Sequence, residues 1–231
     1  MTQKWQEIWN RRAAPAGAEL DLAALIRLDG CDTGAGRVAA DSWRINVASI
    51  AEKLGFRPGD SVFDVGCGSG AFLVAARELR AGAVGGIDYG AGLVAAARRV
   101  LPDGDFTVGD AAELAEVPAY DHVVSHGVFH YFGLESAAVI LGRMLRKARK
   151  TVAVLEVPDL ATREAAEAER RNALSPEEYE RKYAGLGHTY YPRDWFREQA
   201  ARHGRACDFF PSCMPDYAQS IYRFNCLMRP G

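Results

Sequence analysis

A carboxylate and three glycines stand at alternate positions in one short segment, Asp64-Val65-Gly66-Cys67-Gly68-Ser69-Gly70. Apolar residues precede Asp64, and residues 71–79 have the apolar spacing of a helix. The pattern predicts a buried strand, a tight glycine turn and the start of a helix. Glycines permit positive φ and let a ligand approach the backbone closely, and the first turn of a helix offers unpaired N–H groups. The segment therefore predicts a site for a nucleotide-containing cofactor.

Charge separates two kinds of cofactor at this turn. Gly66, Gly68 and Ala71 also satisfy the dinucleotide fingerprint, which places a pyrophosphate on the turn. Asp64 would repel that anion, whereas it would attract the positive amino group of S-adenosylmethionine. An NAD-dependent oxidoreductase is therefore the less favoured alternative, and a cofactor-binding protein without catalysis is a third.

The segment from Asp64 to Gly70 resembles motif I of the class I S-adenosylmethionine-dependent methyltransferases. Over about residues 45–231 the chain is similar to this family, with specific motifs at 61–70, Asp88 and 109–111. The resemblance implies S-adenosylmethionine as cofactor and S-adenosylhomocysteine as product. The cofactor-binding residues expected from it are Asp64, Gly66, Cys67, Gly68, Gly70, Asp88, Tyr89, Asp110, Ala111 and Ser125.

A specific role is expected for Asp88 and for Asp110, and each residue also has an alternative role. Asp88 follows the second strand and is placed to accept hydrogen bonds from ribose hydroxyls, and the less favoured alternative is a turn aspartate before Gly90. In the family that the chain resembles, an aspartate at Asp110 accepts from the adenine amino group and the next N–H, here of Ala111, donates to the ring. Asp110 could also cap a short helix.

The segment after the fourth strand is expected to face the methyl acceptor, as it does in the family that the chain resembles. The Asn/Asp-Pro-Pro-Tyr motif of nucleic-acid amino methyltransferases is absent there, and Phe129-His130 is similar to small-molecule methyltransferases. His130 is the predicted general base for an oxygen acceptor, because histidine titrates in the range needed. His126 would orient the acceptor or lie against the sulfonium. Nitrogen or carbon acceptors, and a structural His130, stay open.

Alternating strand and helix signals across residues 57–158 predict the elements that position these residues. Such alternation predicts a parallel sheet with helices on both faces, and ligands of such sheets lie at the carboxyl ends of the strands. By resemblance, strand signals near 206–210 and 222–228 complete a Rossmann-like, seven-stranded, mostly parallel α/β sheet. The loop before the fifth strand is expected at residues 147–150.

Segments on either side of this core are expected to cover the site. Residues 1–46 are predicted to form a helical N-terminal flap, with a glycine-rich loop at 29–36 as its hinge. Residues 47–231 then form the methyltransferase domain, in which 159–192 is a helical insertion over the acceptor site. A surface helical hairpin is the alternative for the insertion.

Composition narrows the class of protein. The 231 residues carry a net charge of −2, which gives no electrostatic footprint for nucleic acid or an anionic membrane. No apolar run is long enough to span a bilayer, no signal peptide is recognised, and the five scattered cysteines are typical of a reduced compartment. His126 and His130 lack further ligands at metal-binding spacing. We therefore expect a cytoplasmic enzyme with a small-molecule partner and no metal, and its oligomeric state stays open.

Overall fold

The computed structural model describes residues 3–31, 37–172, 175–183 and 185–231. Within these ranges the chain forms one sheet with helices on both faces. The strands are β1 (Val62–Val65), β2 (Val84–Asp88), β3 (Asp105–Val108), β4 (Tyr120–His126), β5 (Ala148–Pro158), β6 (Arg205–Pro211) and β7 (Arg223–Pro230). The helices are α1 (Gln3–Asn10), α2 (Leu22–Leu28), α3 (Ala40–Leu54), α4 (Ala71–Glu78), α5 (Ala91–Val100), α6 (Leu134–Lys147), α7 (Arg163–Asn172), α8 (Pro176–Tyr183) and α9 (Arg193–Arg202).

The sheet has seven strands in the order β3-β2-β1-β4-β5-β7-β6. The first five strands along the chain pair in parallel, whereas β7 is antiparallel to both β5 and β6. The order reverses between β1 and β4, which is where ligands bind in open sheets of this kind. The predicted Rossmann-like, mostly parallel α/β sheet is confirmed.

The start of β5 differs from the prediction, because residues 148–150 are strand and not a connecting loop. Helix α6 ends at Lys147, and Ala148 already pairs with Tyr120 of β4. Lys147 is buried, and its Nζ donates to the carbonyl oxygens of Ala115 and Pro118 over 2.9 Å each. These bonds hold the end of the helix against the segment that precedes β4.

The N-terminal segment is joined to the glycine turn by polar contacts. Trp43 Nε1 in α3 donates to the carbonyl oxygen of Ala71 over 3.2 Å, and Ser69 Oγ donates to Leu25 O in α2 over 3.1 Å. The predicted boundary between residues 46 and 47 lies inside α3, and the division into flap and domain stays a prediction. Part of the predicted hinge, residues 32–36, lies outside the described residues.

The predicted insertion contains α7 and α8. Ser175 and Glu178 form a reciprocal cap at the start of α8, in which each backbone N–H donates to the other side chain. Asp159 pairs with Arg193 of α9 over 2.8 Å and so fixes the end of β5 to the start of α9. Among the described residues, no helix has both the length and the apolar character needed to cross a bilayer.

Candidate functional site

A cavity of about 470 Å³ lies at the carboxyl ends of β1, β2, β4 and β5. Its volume is in the range of cofactor and small-molecule sites, roughly 300–1,000 Å³. Residues of the glycine turn line one end, while Glu156 and Arg223 line the other. Trp5 and Trp9 of α1, together with Trp43, contribute aromatic walls from the N-terminal segment.

The glycine turn adopts a backbone that other residues would strain. Gly66 has φ of +81° and Gly68 has φ of +52°, both in the left-handed region. A Cβ on Gly66 would lie 2.5 Å from Val128 Cγ2, and one on Gly68 would collide with the carboxylate of Asp29. Glycine is therefore needed at both positions for conformation and for space.

Three carboxylates surround this turn. Asp88 accepts from the N–H groups of Gly68 and Gly90 over 2.9 and 2.8 Å, and Asp29 accepts from the N–H of Ser69 over 2.6 Å. Asp64 is 2% exposed, and its Oδ1 is buried without a hydrogen-bond partner. All three residues line the cavity.

The electrostatics of the three carboxylates favour a cation. Burial raises the pKa of Asp64 well above its usual value, and the charges of Asp29 and Asp88 raise it further. Burial also raises the pKa of Asp29 to about 7, although hydrogen bonds from Ser69 oppose the change. A cationic group between them would stabilise the ionised carboxylates. The unpartnered Asp64 oxygen thus fits the amino group of S-adenosylmethionine.

Tyr89, Asp110 and Ala111, which follow β2 and β3, also line the cavity. Asp110 Oδ1 accepts from the N–H of Ala112 over 2.8 Å and caps the short 3-10 turn Ala111–Glu113. The capping role considered from the sequence is therefore present. An additional contact of Asp110 with adenine stays a proposal.

Two predicted cofactor residues do not line the cavity. Ser125 is fully buried, and its Oγ donates to Val65 O over 2.7 Å within the sheet. Gly70 has φ of +89° at the start of α4, and a Cβ there would lie 3.3 Å from Ala97 Cβ of α5. Both residues contact the elements around the turn and not the cavity, whereas Cys67 lines the cavity beside Gly68.

His126 is held by aromatic and polar neighbours. Its Nε2 lies 3.1 Å from Asn46 Nδ2, and its ring meets Trp43 edge to face at 4.9 Å between centroids. Burial lowers the pKa of His126 to about 4, and the positive charge of Arg223 adds to this. The imidazole is therefore neutral at physiological pH and is packed in one orientation.

His130 lies in the 3-10 turn Phe129–Tyr131 and is 5% exposed. Its Nδ1 is buried without a partner, and its ring centroid is 4.3 Å from that of His188. Burial lowers the pKa of His130 well below its usual value, and the charges of His188, Arg223 and Arg170 act in the same direction. His130 and His126 both line the cavity.

The opposite end of the cavity holds polar groups that sequence reasoning missed or gave little weight. Arg223 Nη1 donates to Glu156 O over 2.8 Å, and Glu156 has an unusual positive φ of +57°. Glu156 Oε1 accepts from Ser212 Oγ over 2.6 Å, but Oε2 is buried without a partner, as is Gln219 Nε2. A charged residue at the start of the apolar segment 224–228 is the sequence signal that could have identified Arg223.

No metal cluster accompanies these groups in the part of the chain that the structure describes. No three His, Cys, Asp or Glu side chains come together there in an arrangement that could hold a metal ion.

Comparisons with known proteins agree with the sheet and the turn. Residues 62–152 match a family model described as a methyltransferase domain. No curated protein sequence matches the chain. The match spans β1 to the middle of β5, and therefore includes the glycine turn, Asp88, Asp110 and His130.

Three solved structures illustrate the shared fold. The magnesium protoporphyrin IX methyltransferase of Synechocystis PCC 6803 with bound S-adenosylhomocysteine is 19% identical, with a TM-score of 0.59 over 99% of this chain and 93% of that one. DesVI of Streptomyces venezuelae is 16% identical, with a TM-score of 0.61 over 93% and 100%. The amino pentose methyltransferase CalS10 of Micromonospora echinaspora, with bound S-adenosylmethionine, is 14% identical, with a TM-score of 0.60 over 82% and 92%.

Family match, sheet order and an acidic glycine turn thus lead to one conclusion. Asp64 Oδ1 is buried without a hydrogen-bond partner beside the positive-φ glycines, an arrangement that fits a cationic cofactor. Residues 62–152 form a methyltransferase domain, and the chain shares the fold of solved methyltransferases that bind S-adenosylmethionine or S-adenosylhomocysteine.

Proposed function

We propose that the enzyme transfers the methyl group of S-adenosylmethionine to an oxygen of a small molecule, with His130 as the general base. One observation carries the proposal: a single cavity joins the acidic glycine turn to the unpaired ring nitrogen of His130. Relatives named for protoporphyrin and amino pentose substrates support an acceptor of small-molecule size.

Each side chain near the glycine turn is assigned to one part of the cofactor. When bound, the cofactor supplies an electrophilic methyl group on a sulfonium. We assign its amino group to Asp64 and Asp29, because both carboxylates are buried at the glycine turn. We assign the ribose hydroxyls to Asp88, and the adenine to Asp110 and the N–H of Ala111.

The acceptor end has to place a nucleophile in line with the methyl group and remove its proton. Two bonds hold the turn that carries His130: Tyr191 Oη lies 2.9 Å from Phe129 O, and Thr189 N donates to His130 O over 2.9 Å. The turn therefore presents the ring in a fixed position. Its lowered pKa keeps the imidazole neutral and able to accept a proton.

The weak basicity of His130 selects among acceptors. A base with a lowered pKa removes protons efficiently only from groups that are themselves acidic, or become acidic as the new bond forms. Phenols and enols satisfy this condition better than aliphatic alcohols. The acceptor is therefore an acidic hydroxyl, whereas an amine or a carbon nucleophile is the alternative.

Helix α1 packs over the acceptor end of the cavity. Trp5 packs on Tyr131 with 4.8 Å between centroids and stacks on His188 at 5.6 Å. Its Nε1 also lies 3.4 Å from Gly187 O of the segment before α9. We propose that α1 acts as a flap that closes the acceptor end and excludes water.

The test is a product analysis with methyl-labelled S-adenosylmethionine. The protein is incubated with 4-hydroxybenzoate, 4-hydroxybenzylamine and catechol, and the methylated atom is identified by mass spectrometry and NMR. We expect label on phenolic oxygen, lost in His130→Ala. Label on nitrogen or carbon would contradict the proposal, as would full O-methylation by His130→Ala.

A further inference from the structure

The two ends of the cavity carry opposite charge. Asp29, Asp64 and Asp88 surround the glycine turn, whereas Arg223 and Arg170 line the acceptor end. Among the described residues, neither arginine takes part in a salt bridge. The exposed arginines of the surface differ, since Arg197 and Arg229, for example, pair with carboxylates at 2.5 and 2.8 Å.

Arg223 is the unusual member, because it is 9% exposed and forms no salt bridge with another described residue, although, against the effect of burial, the nearby charge of Glu156 raises its pKa. A buried guanidinium without an anion in contact is costly, since its desolvation is then offset only in part. Its hydrogen bond goes to a neutral carbonyl, Glu156 O, over 2.8 Å. The Glu156 side chain turns instead to Ser212, over 2.6 Å, and burial raises the pKa of its carboxyl.

Further hydrogen-bond donors lie at the same end of the cavity. Gln219 Nε2 is buried without a partner, and Gln219 itself is 5% exposed and lines the cavity. Arg170 Nη2 lies 2.9 Å from His188 Nδ1 and brings a second guanidinium to this end. Because arginine only donates hydrogen bonds, the His188 nitrogen accepts here. The end is thus rich in donors and positive charge.

We infer that the methyl acceptor carries an oxyanion, such as a carboxylate, which binds to Arg223 and Gln219 while Arg170 adds positive charge. The inference rests on the proposed function, since it concerns the acceptor of that reaction. The acceptor is then an anionic hydroxy compound. Arg223 and Gln219 hold its oxyanion at the β5–β7 end, and its hydroxyl faces His130.

The carboxylate of the cofactor does not account for these donors. Its amino and carboxylate groups share one carbon, so the carboxylate stays near the glycine turn that attracts the amino group. The strand order places β4 and β5 between β1 and β7. Because Arg223 Nη1 contacts Glu156 O of β5, its guanidinium lies two strand spacings from β1, about 10 Å. The anion bound by Arg223 therefore belongs to the acceptor.

The experiment measures binding of three probes of one shape and different charge to protein saturated with S-adenosylhomocysteine. The probes are 4-hydroxybenzoate, 4-hydroxybenzamide and 4-hydroxybenzylamine, and ligand-observed NMR gives each dissociation constant. We expect the benzoate to bind at least about tenfold more tightly than the benzamide, the effect of one charge-assisted hydrogen bond. Arg223→Gln should remove that preference, and Arg197→Gln on the surface should keep it.

Two further variants test the inference independently if Arg223→Gln does not fold. Arg170→Gln, on the half-buried face of α7, should reduce the preference for the benzoate, and Arg223→Lys should restore part of it. Thermal melts and S-adenosylhomocysteine titrations accompany each variant, and affinity for that ligand should stay unchanged. Equal binding of benzoate and benzamide, or preference for the benzylamine, would overturn the inference. So would an equal loss of S-adenosylhomocysteine binding in Arg223→Gln, because the guanidinium would then serve the cofactor.

Failure of this inference is separable from failure of the proposed function. If the enzyme O-methylates neutral and anionic phenols equally well, the proposed function stands and the inference is wrong. If 4-hydroxybenzoate binds through Arg223 but no oxygen is methylated in any probe, the inference stands and the proposed function is wrong.

Discussion

Ser69 donates its N–H to Asp29 Oδ1 over 2.6 Å, and this bond joins the end of α2 to the glycine turn across 40 positions of sequence. The contact is possible because Gly68 lacks a Cβ, which would occupy the place of the carboxylate. A residue of the N-terminal segment thus contacts the glycine turn. If the proposed flap moves, we expect cofactor binding to change with it through Asp29.

Asp29 makes cofactor affinity depend on pH. Its pKa is raised to about 7, so the carboxyl is mainly protonated at pH 6 and mainly charged at pH 8. Only the charged form attracts the amino group, so affinity for S-adenosylhomocysteine should rise between pH 6 and pH 8. Asp29→Asn should weaken binding roughly tenfold at pH 8 and reduce this rise, measured by calorimetry. Equal wild-type affinity at both pH values would contradict the role of Asp29.

Asp64→Asn should stabilise the free protein at the expense of binding. A carboxyl whose folded pKa is raised costs nothing below its unfolded pKa of about 3.9, and the cost grows as pH rises towards the folded pKa. The variant should therefore gain stability over wild type at pH 8 and show little gain at pH 4.5, in urea unfolding at each pH. It should also lose S-adenosylhomocysteine binding. A gain that is the same at both pH values would mean that the carboxyl does not titrate as described.

Gly68→Ala tests the space requirement of the turn. Gly55 has φ of +68° with nothing within 4 Å of an added Cβ, so Gly55→Ala measures the conformational cost alone, about 1–2 kcal/mol. Gly68→Ala should lose more stability than this, because its Cβ also meets Asp29. Adding Asp29→Ala should recover the difference. Equal losses in Gly55→Ala and Gly68→Ala would show that Asp29 does not crowd the turn.

The pH profile of turnover tests His130. Because its pKa lies well below the usual value, protonation removes the base only at low pH. The turnover number with 4-hydroxybenzoate as acceptor should therefore show no acid limb between pH 8 and pH 6.5. His130→Ala should lower turnover about 10²–10⁴-fold while S-adenosylhomocysteine affinity stays the same. An acid limb near pH 7, or unchanged turnover in the variant, would remove His130 from the mechanism.

The parts of the molecule that can be predicted from sequence are those encoded locally. Apolar strands, the glycine turn and acidic residues at strand ends are contiguous patterns, so the sequence alone is enough to place Asp64, Gly68, Asp88 and Asp110 at strand ends. Local patterns cannot show which way a side chain faces. Ser125, for example, is expected at the cofactor, but its Oγ donates to Val65 O within the sheet and the residue does not line the cavity.

The remaining part of the site depends on pairing between distant segments. Arg223 reaches the cavity because β7 runs antiparallel to β5, which sets Arg223 opposite Pro158. Asp29 reaches the turn because α2 packs against α4. Residues 148–150 have helix-favouring side chains, and the pairing of Ala148 with Tyr120 of β4 overrides that local preference.

The central claim is that the acidic glycine turn binds a cationic nucleoside cofactor. Calorimetric titration of the purified protein with S-adenosylhomocysteine and, separately, with NADH tests it most directly. We predict one-to-one binding of S-adenosylhomocysteine, loss of that binding in Asp64→Asn, and no binding of NADH. Binding of NADH without binding of S-adenosylhomocysteine would contradict the roles given to Asp64 and Asp110.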